Sequence, residues 1–185
     1  MTLPPDLPEP VDDGACDHLP GRAVPEVTLP ATDGRRVALD KLEAARTVVY
    51  AYPWTGRPGE PLLVEDWDLI PGARGCTPET CGFRDHHAEL AELGTEVFGL
   101  STQSTDYQRE LAERLDLPFP ILSDAGLELT RELGLPTFEA AGQTLLKRHT
   151  LVLRDGAVER VFYPVFPPDR HAAEVVAWLT QVPAE

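Results

Sequence analysis

Two stretches of the sequence decide the fold: Thr-Val-Val-Tyr-Ala-Tyr at residues 47–52, and Gly-Cys-Thr-Pro-Glu-Thr-Cys-Gly-Phe-Arg-Asp at residues 75–85. The first stretch is β-branched, aromatic and almost wholly apolar, which predicts a strand buried on both faces. The second stretch predicts a helix over residues 78–93, because Pro78 suits a first helical turn and Gly94 is a natural C-terminal stop. A buried strand therefore leads, through a long loop, into a helix that begins near two cysteines.

The same alternation of strands and helices continues on both sides of this unit. The predicted elements are a hairpin over residues 27–39, strands at 47–52, 96–100 and 120–122, helices at 78–93, 105–115, 127–133 and 169–179, and a second hairpin over 148–165. Alternating β and α elements imply a parallel core with right-handed crossovers, and the late hairpin adds antiparallel strands. We therefore predict an α/β protein with a thioredoxin-like fold, in which helices flank a mixed central sheet and a hairpin stands at the N-terminus.

Length and composition predict one acidic globular domain. The 185 residues are enough for a single core, and 42% of them are hydrophobic. Residues 1–19 are rich in proline and acids and predict a flexible arm, followed by a domain over residues 20–185. The N-terminal residues lack the basic and apolar regions of a signal peptide, so we expect a cytoplasmic protein.

The formal net charge of −15 argues against two classes of partner. Such a surface repels both the phosphate backbone of nucleic acids and anionic lipid headgroups. No apolar run approaches the roughly 20 residues that a membrane span needs. We expect neither a nucleic-acid nor a membrane partner.

The chemistry of the chain depends on its three cysteines, Cys16, Cys76 and Cys81. An odd, low number argues against a framework of structural disulfides and leaves redox chemistry, metal binding or simple burial. Cys76 lies near a helix start, where unpaired N–H groups and partial positive charge stabilise a thiolate. Burial of Cys76 and Cys81 as small apolar residues is an alternative. Zinc binding with His86 and His87 is another, although the cysteine spacing is unusual for zinc.

The cysteine pair, its flanking sequence and the element order together resemble the Q-type peroxiredoxins, also called bacterioferritin comigratory proteins. The resemblance covers nearly all of residues 20–180 and includes four further stretches. These are residues 26–34, 98–102, 120–124 and 148–156, which resemble the family's opening hairpin, two of its core strands and the strand that carries its active-site arginine.

This resemblance implies a thiol peroxidase. It implies that Cys76 is the peroxidatic cysteine, Cys81 the resolving cysteine and Arg148 the active-site arginine. The implied substrates are hydrogen peroxide and small organic hydroperoxides, and the implied reductant is thioredoxin or a similar dithiol protein. No metal or organic cofactor is implied, and we expect a monomer or a weak homodimer.

The chain departs from the family pattern at the threonine that normally lies three residues before the peroxidatic cysteine. Ala73 occupies this position, and Pro53 lies 23 positions before Cys76, where the family has seven. We therefore predict an inserted loop over residues 54–75 and expect Thr55 to replace the missing threonine, with Thr77 and Thr80 as alternatives.

Two other functions compete with a peroxidase. A thiol–disulfide oxidoreductase of the thioredoxin type needs a C-x-x-C motif, which the sequence lacks. A redox-sensing thioredoxin-fold module with little peroxidase turnover is the stronger alternative, and Ala73 favours it.

Overall fold

A five-stranded sheet lies at the centre of the computed structural model, which describes residues 3–183. The strands are β1 (Thr28–Pro30), β2 (Arg36–Ala38), β3 (Arg46–Ala51), β4 (Thr95–Ser101), β5 (Ile121–Ser123), β6 (Thr137–Ala140), β7 (Gln143–Leu146), β8 (His149–Arg154) and β9 (Ala157–Phe162). The helices are α1 (Cys76–Asp85), α2 (His87–Glu92), α3 (Thr105–Arg114), α4 (Glu128–Leu133) and α5 (His171–Gln181).

The central sheet is mixed, as predicted. Its order is β5-β4-β3-β8-β9, with β3 parallel to β4 and β4 parallel to β5. The late hairpin adds β8 antiparallel to β3 and β9 antiparallel to β8. The strands β1 and β2 form the predicted N-terminal hairpin as a separate two-stranded sheet. These observations confirm the α/β fold class.

Strand β3 is the centre of the core because all six of its residues are buried. Alternation along the strand places Val48 and Tyr50 in one apolar cluster and Val49 and Ala51 in another, on the opposite face of the sheet. Helices α1, α3 and α5 contribute to the first cluster, and the N-terminal hairpin and α4 contribute to the second. The first cluster also contains Cys76, so the burial of β3 and the placement of the cysteine are linked.

The helix predicted over residues 78–93 differs from the structure in two ways. It begins at Cys76, two residues earlier, because Gly75 adopts a left-handed N-cap conformation with φ of 109°. It is also divided into α1 and α2 at His86, whose ψ of 6° leaves the helical region. The Nδ1 atom of His86 lies 2.7 Å from a carboxylate oxygen of Glu89, in the first turn of α2.

The hairpin of β6 and β7 is an element that the sequence patterns do not indicate. Its two-residue turn, Ala141 and Gly142, has φ of 50° and 70°. Turns of this kind usually contain Asn-Gly or Asp-Gly, and Ala-Gly lacks that signal. Residues Trp67 and Ala73 of the long loop pack on this hairpin in a third apolar cluster, so the loop lies on the body of the protein.

Part of the acidic N-terminal segment packs against the core. Composition predicts a flexible arm over residues 1–19, but Leu19 is fully buried and Cys16 is 5% exposed. A carboxylate oxygen of Asp13 lies 2.7 Å from the ammonium of Lys147. The apolar residues and this ion pair give the end of the segment contacts that its composition does not reveal, and its mobility stays a prediction. Across residues 3–183, no helix is long and apolar enough to cross a bilayer.

Candidate active site

Cys76 is the first residue of α1, and its side chain is 3% exposed. The preceding Gly75 has positive φ, and a Cβ atom there would collide with Pro168. Only glycine fits both restrictions, so the turn that places the thiol at the helix start is specified by this residue. The thiol also lies 3.6 Å from the carbonyl oxygen of Ala73, to which its S–H donates.

Arg148 lies directly before β8, the strand that pairs with β3, and its side chain reaches the thiol at the start of α1. The Nη2 atom donates to Cys76 Sγ at 3.1 Å, to the carbonyl oxygen of Ala73 at 3.1 Å and to that of Arg74 at 3.3 Å. The Nη1 atom donates to a carboxylate oxygen of Glu79. Because Arg148 is 3% exposed, this guanidinium is a fixed positive charge next to the sulfur, shielded from water.

Opposing effects act on the pKa of Cys76. Burial raises the pKa of this thiol above its ordinary value and is the largest effect, and the charge of Glu79 acts in the same direction. The guanidinium of Arg148 and a hydrogen bond from the backbone of Trp54 lower it. The sequence predicts a thiolate stabilised by the helix start, whereas in the structure burial raises the pKa of the thiol and the guanidinium of Arg148 opposes that effect.

The loop after β3 brings Thr55 to the same cavity as Cys76. This cavity has a volume of about 270 Å³, and its walls include Trp54, Thr55, Trp67 and Thr77. The hydroxyl of Thr55 is buried and donates to the side-chain oxygen of Gln103 at 3.2 Å. Both tryptophans of the long loop therefore line the cavity that contains the thiol, and Thr55 borders the space that a small substrate would enter.

Known proteins resemble this chain along most of its length. The Redoxin family model matches residues 19–177. The chain belongs to the Redoxin family. Peroxiredoxin Q, chloroplastic, from Sedum lineare is 34% identical over 160 residues, which are 86% of this chain and 76% of that protein. This relationship confirms membership of the Q-type peroxiredoxins.

Two further relatives define the extent of the similarity. Peroxiredoxin Q, chloroplastic, from Oryza sativa subsp. japonica is 34% identical over 84% of this chain, and the match spans 64% of the rice protein's length. The crystal structure of peroxidoxin BcpB from Mycobacterium tuberculosis superimposes with a TM-score of 0.71 at 29% identity, covering 89% of this chain and 97% of that one. The thioredoxin-like fold predicted for this peroxiredoxin is therefore confirmed.

The structure does not bring Cys81 to Cys76. Both are free thiols on α1, five residues apart, and Cys81 is half-buried.

Cys16 lies in the other apolar cluster, where burial raises its pKa to about 12. Within residues 3–183, no group of three or more His, Cys, Asp or Glu side chains is arranged to hold a metal ion.

Two buried polar residues at the site were not among the sequence-based candidates. Glu79 is fully buried and lies three positions after Cys76, so the helical period places both on one face. That spacing, together with the need to neutralise an arginine, is a signal that could have identified Glu79. Gln103 contacts Thr55 across 48 positions of sequence, and no local pattern could have indicated it.

Proposed function

We propose that this peroxiredoxin is a thiol peroxidase in which the Cys76 thiolate attacks a hydroperoxide. A sulfur–oxygen bond forms, the O–O bond breaks, and the leaving alkoxide, or hydroxide in the case of hydrogen peroxide, takes up a proton. The product at Cys76 is a sulfenic acid. The contact of 3.1 Å between Arg148 and the sulfur is the observation that supports this proposal most strongly. A fixed guanidinium there stabilises both the thiolate and the negative charge that develops on the peroxide oxygens.

Thr55 is our candidate for the hydroxyl that orients the hydroperoxide. It lines the Cys76 cavity together with its neighbour Trp54. Thr77 also lines this cavity, whereas the hydroxyl of Thr80 accepts a hydrogen bond from Tyr50 at 3.3 Å. The supporting argument for Thr55 is the loop over residues 54–75, which we propose is an insertion that folds back over the cavity.

We propose that Cys81 then resolves the sulfenic acid. Its sulfur would condense with the oxidised sulfur of Cys76, forming a disulfide and releasing one water molecule. A dithiol protein of the thioredoxin type would reduce this disulfide by thiol–disulfide exchange. Hydrogen peroxide and small organic hydroperoxides are the proposed substrates, and neither a metal nor an organic cofactor takes part in these steps.

The setting of this reaction is also a proposal. A low, odd number of cysteines with free thiols suits the reducing environment of the cytoplasm. The related plant proteins from Sedum lineare and rice carry chloroplastic in their names. We propose a functional domain over residues 20–185, acting as a monomer or a weak homodimer.

A coupled assay tests the proposed activity. Thioredoxin, thioredoxin reductase and NADPH are mixed with the protein, and NADPH consumption is followed for hydrogen peroxide and several organic hydroperoxides. We expect sustained turnover that is absent in Cys76→Ser. A single oxidation of Cys76 without sustained turnover, with fresh reductant present, would instead indicate a redox-sensing module.

A further inference from the structure

Gln103 is a buried side chain that connects two loops at the carboxyl edge of the sheet. It lies two residues after the end of β4, is 3% exposed, and bonds three times to Thr55 in the loop after β3. Its Oε1 atom accepts from the backbone N–H and from the hydroxyl of Thr55, both at 3.2 Å. Its Nε2 atom donates to the carbonyl oxygen of Thr55 at 3.0 Å. One amide side chain thus satisfies both backbone groups of Thr55, as a neighbouring strand would.

The backbone of Gln103 is itself held in place. The N–H of Gln103 donates to the hydroxyl of Ser101 at 3.3 Å, and the hydroxyl of Ser123 donates to the carbonyl oxygen of Gln103 at 2.6 Å. Both serines are buried at the ends of parallel strands. The amide is therefore anchored to the rigid part of the sheet, whereas Thr55 belongs to a long loop with few regular backbone bonds. Through these hydrogen bonds, Gln103 fixes Thr55 and its loop to the ends of the sheet strands.

This bonding pattern determines how the hydroxyl of Thr55 can interact with a substrate. Because its proton is donated to Gln103, the oxygen keeps its lone pairs for other partners. A hydroperoxide has an O–H donor, so Thr55 can accept a hydrogen bond from it at the edge of the Cys76 cavity. The neighbouring residue Trp54 lines the same cavity as Cys76, so the position of Thr55 also fixes where Trp54 lies relative to the thiol.

We propose that Gln103 is a positioning residue of the peroxidase site: it holds residues 54 and 55 so that Trp54 keeps its place in the wall of the Cys76 cavity and Thr55 presents an acceptor to the hydroperoxide. This inference rests on the proposed function of Cys76. Gln103 does not touch the reacting atoms, and its effect on them passes through the loop. Gln103 therefore holds Thr55 from a distant part of the sequence, and no local sequence motif is needed to fix the threonine.

The test compares Gln103→Met with the matched variant Gln108→Met. Gln108 is an equally buried glutamine that donates to Ser101 at 2.9 Å and to the carbonyl oxygen of Leu122 at 2.9 Å. No hydrogen bond joins it to Thr55 in the part of the chain that the structure describes. Each variant loses a buried amide of the same size, so both are expected to lower the melting temperature. Both glutamines bond to Ser101, but only Gln103→Met removes the bonds to Thr55, so its effect on the active site is expected to be clearly larger than that of Gln108→Met.

Two measurements distinguish positioning from general destabilisation. The rate of Cys76 alkylation against pH gives the thiol pKa in a protein whose other cysteines are replaced by serine. Stopped-flow fluorescence gives the rate constant for reaction with hydrogen peroxide. We expect a raised pKa and a rate constant about tenfold lower in Gln103→Met, the factor that corresponds to losing about one hydrogen bond of 1.4 kcal/mol. The proposal is overturned if neither the pKa nor the rate constant changes in Gln103→Met, or if Gln108→Met changes them equally.

A second variant keeps the test decisive if Gln103→Met does not fold. Gln103→Asn retains an amide in the site but is one methylene too short to reach both backbone groups of Thr55, so the same two changes are expected. Wild-type protein that fails to react with hydroperoxides would refute the proposed function. The alkylation measurement would still decide whether Gln103 positions the loop, because it requires no peroxide.

Discussion

Oxidation of Cys76 and Cys81 to a disulfide should unwind the first half of α1. In a regular helix, residues five apart are separated by about 7.5 Å along the axis and about 140° around it, which places their Cα atoms about 8.7 Å apart. A disulfide usually requires about 4.4–6.8 Å between Cα atoms. The two cysteines both lie in α1, so the bond and the intact helix exclude one another. The missing distance, about 2 Å or more, must come from the backbone between them.

The packing of α1 limits how far the unwinding extends. Phe83 is fully buried and stacks on Tyr50 with ring centroids 4.4 Å apart, which anchors the second half of the helix. Gly82, immediately before it, weakens the helix interior by roughly 1 kcal/mol relative to alanine. We therefore expect residues 76–82 to unwind while Phe83 stays in place. The exposed segment would present the disulfide to a reducing partner.

Amide hydrogen exchange on the reduced and oxidised proteins measures this change. In the intact helix, the amides of residues 80–86 bond to the carbonyls of residues 76–82. Because unwinding breaks these bonds, the amides should exchange at least about tenfold faster after oxidation, which corresponds to about 1.4 kcal/mol of lost protection. Amides of α3 serve as an internal control, and Cys81→Ser treated with peroxide shows the effect of oxidation without a disulfide. Equal protection in both states, with the 76–81 disulfide confirmed by mass spectrometry, would refute the reasoning.

Three further predictions concern the residues around Cys76. Replacing Glu79 with glutamine should lower the pKa of Cys76, because the Glu79 charge raises it; a pKa that rises, measured by alkylation against pH, would contradict this. Arg148→Met alone leaves Glu79 as a buried unpaired charge, which typically costs about 3–5 kcal/mol of stability. We therefore expect the double variant Arg148→Met with Glu79→Gln to be more stable in chemical denaturation than Arg148→Met alone. The double variant should still react slowly with peroxide in stopped-flow measurements. Wild-type peroxide kinetics in the double variant would refute the role of Arg148. Phe83→Ala should lower the unfolding free energy by about 3–5 kcal/mol, because it removes the ring stacked on Tyr50, and a loss below 1 kcal/mol in urea titration would contradict that packing.

The sequence predicts the central architecture because burial leaves a strong pattern. The apolar run at residues 47–52 identifies β3, and Asp155-Gly156 identifies the turn between β8 and β9. The hairpin of β6 and β7 lacks such a signal, because its turn uses Ala-Gly. The packing of Cys16 and Leu19 was also missed, since a few apolar residues within an acidic, proline-rich segment do not show where they bind.

The candidate site is predictable in part, because the buried strand and the helix after it leave a pattern in the sequence. A helix start after a buried strand indicates Cys76 as a candidate reactive thiol, and the family resemblance indicates its peroxidatic role and Arg148. The bonds from Gln103 to Thr55 connect two loops that are distant in sequence, so they emerge only when the parallel strands are placed side by side. The raised pKa of Cys76 likewise depends on how deeply the three-dimensional structure buries the thiol.

The division of labour between the two cysteines is the central claim, and trapping of the first oxidation product tests it most directly. Cys81→Ser and Cys76→Ser are each treated with one equivalent of hydrogen peroxide and a sulfenic-acid trap, and the modified residue is located by mass spectrometry. We predict rapid trapping at Cys76 in Cys81→Ser and no comparable reaction at Cys81 in Cys76→Ser. Rapid trapping at Cys81 in Cys76→Ser, with Cys76 left reduced in Cys81→Ser, would contradict the account.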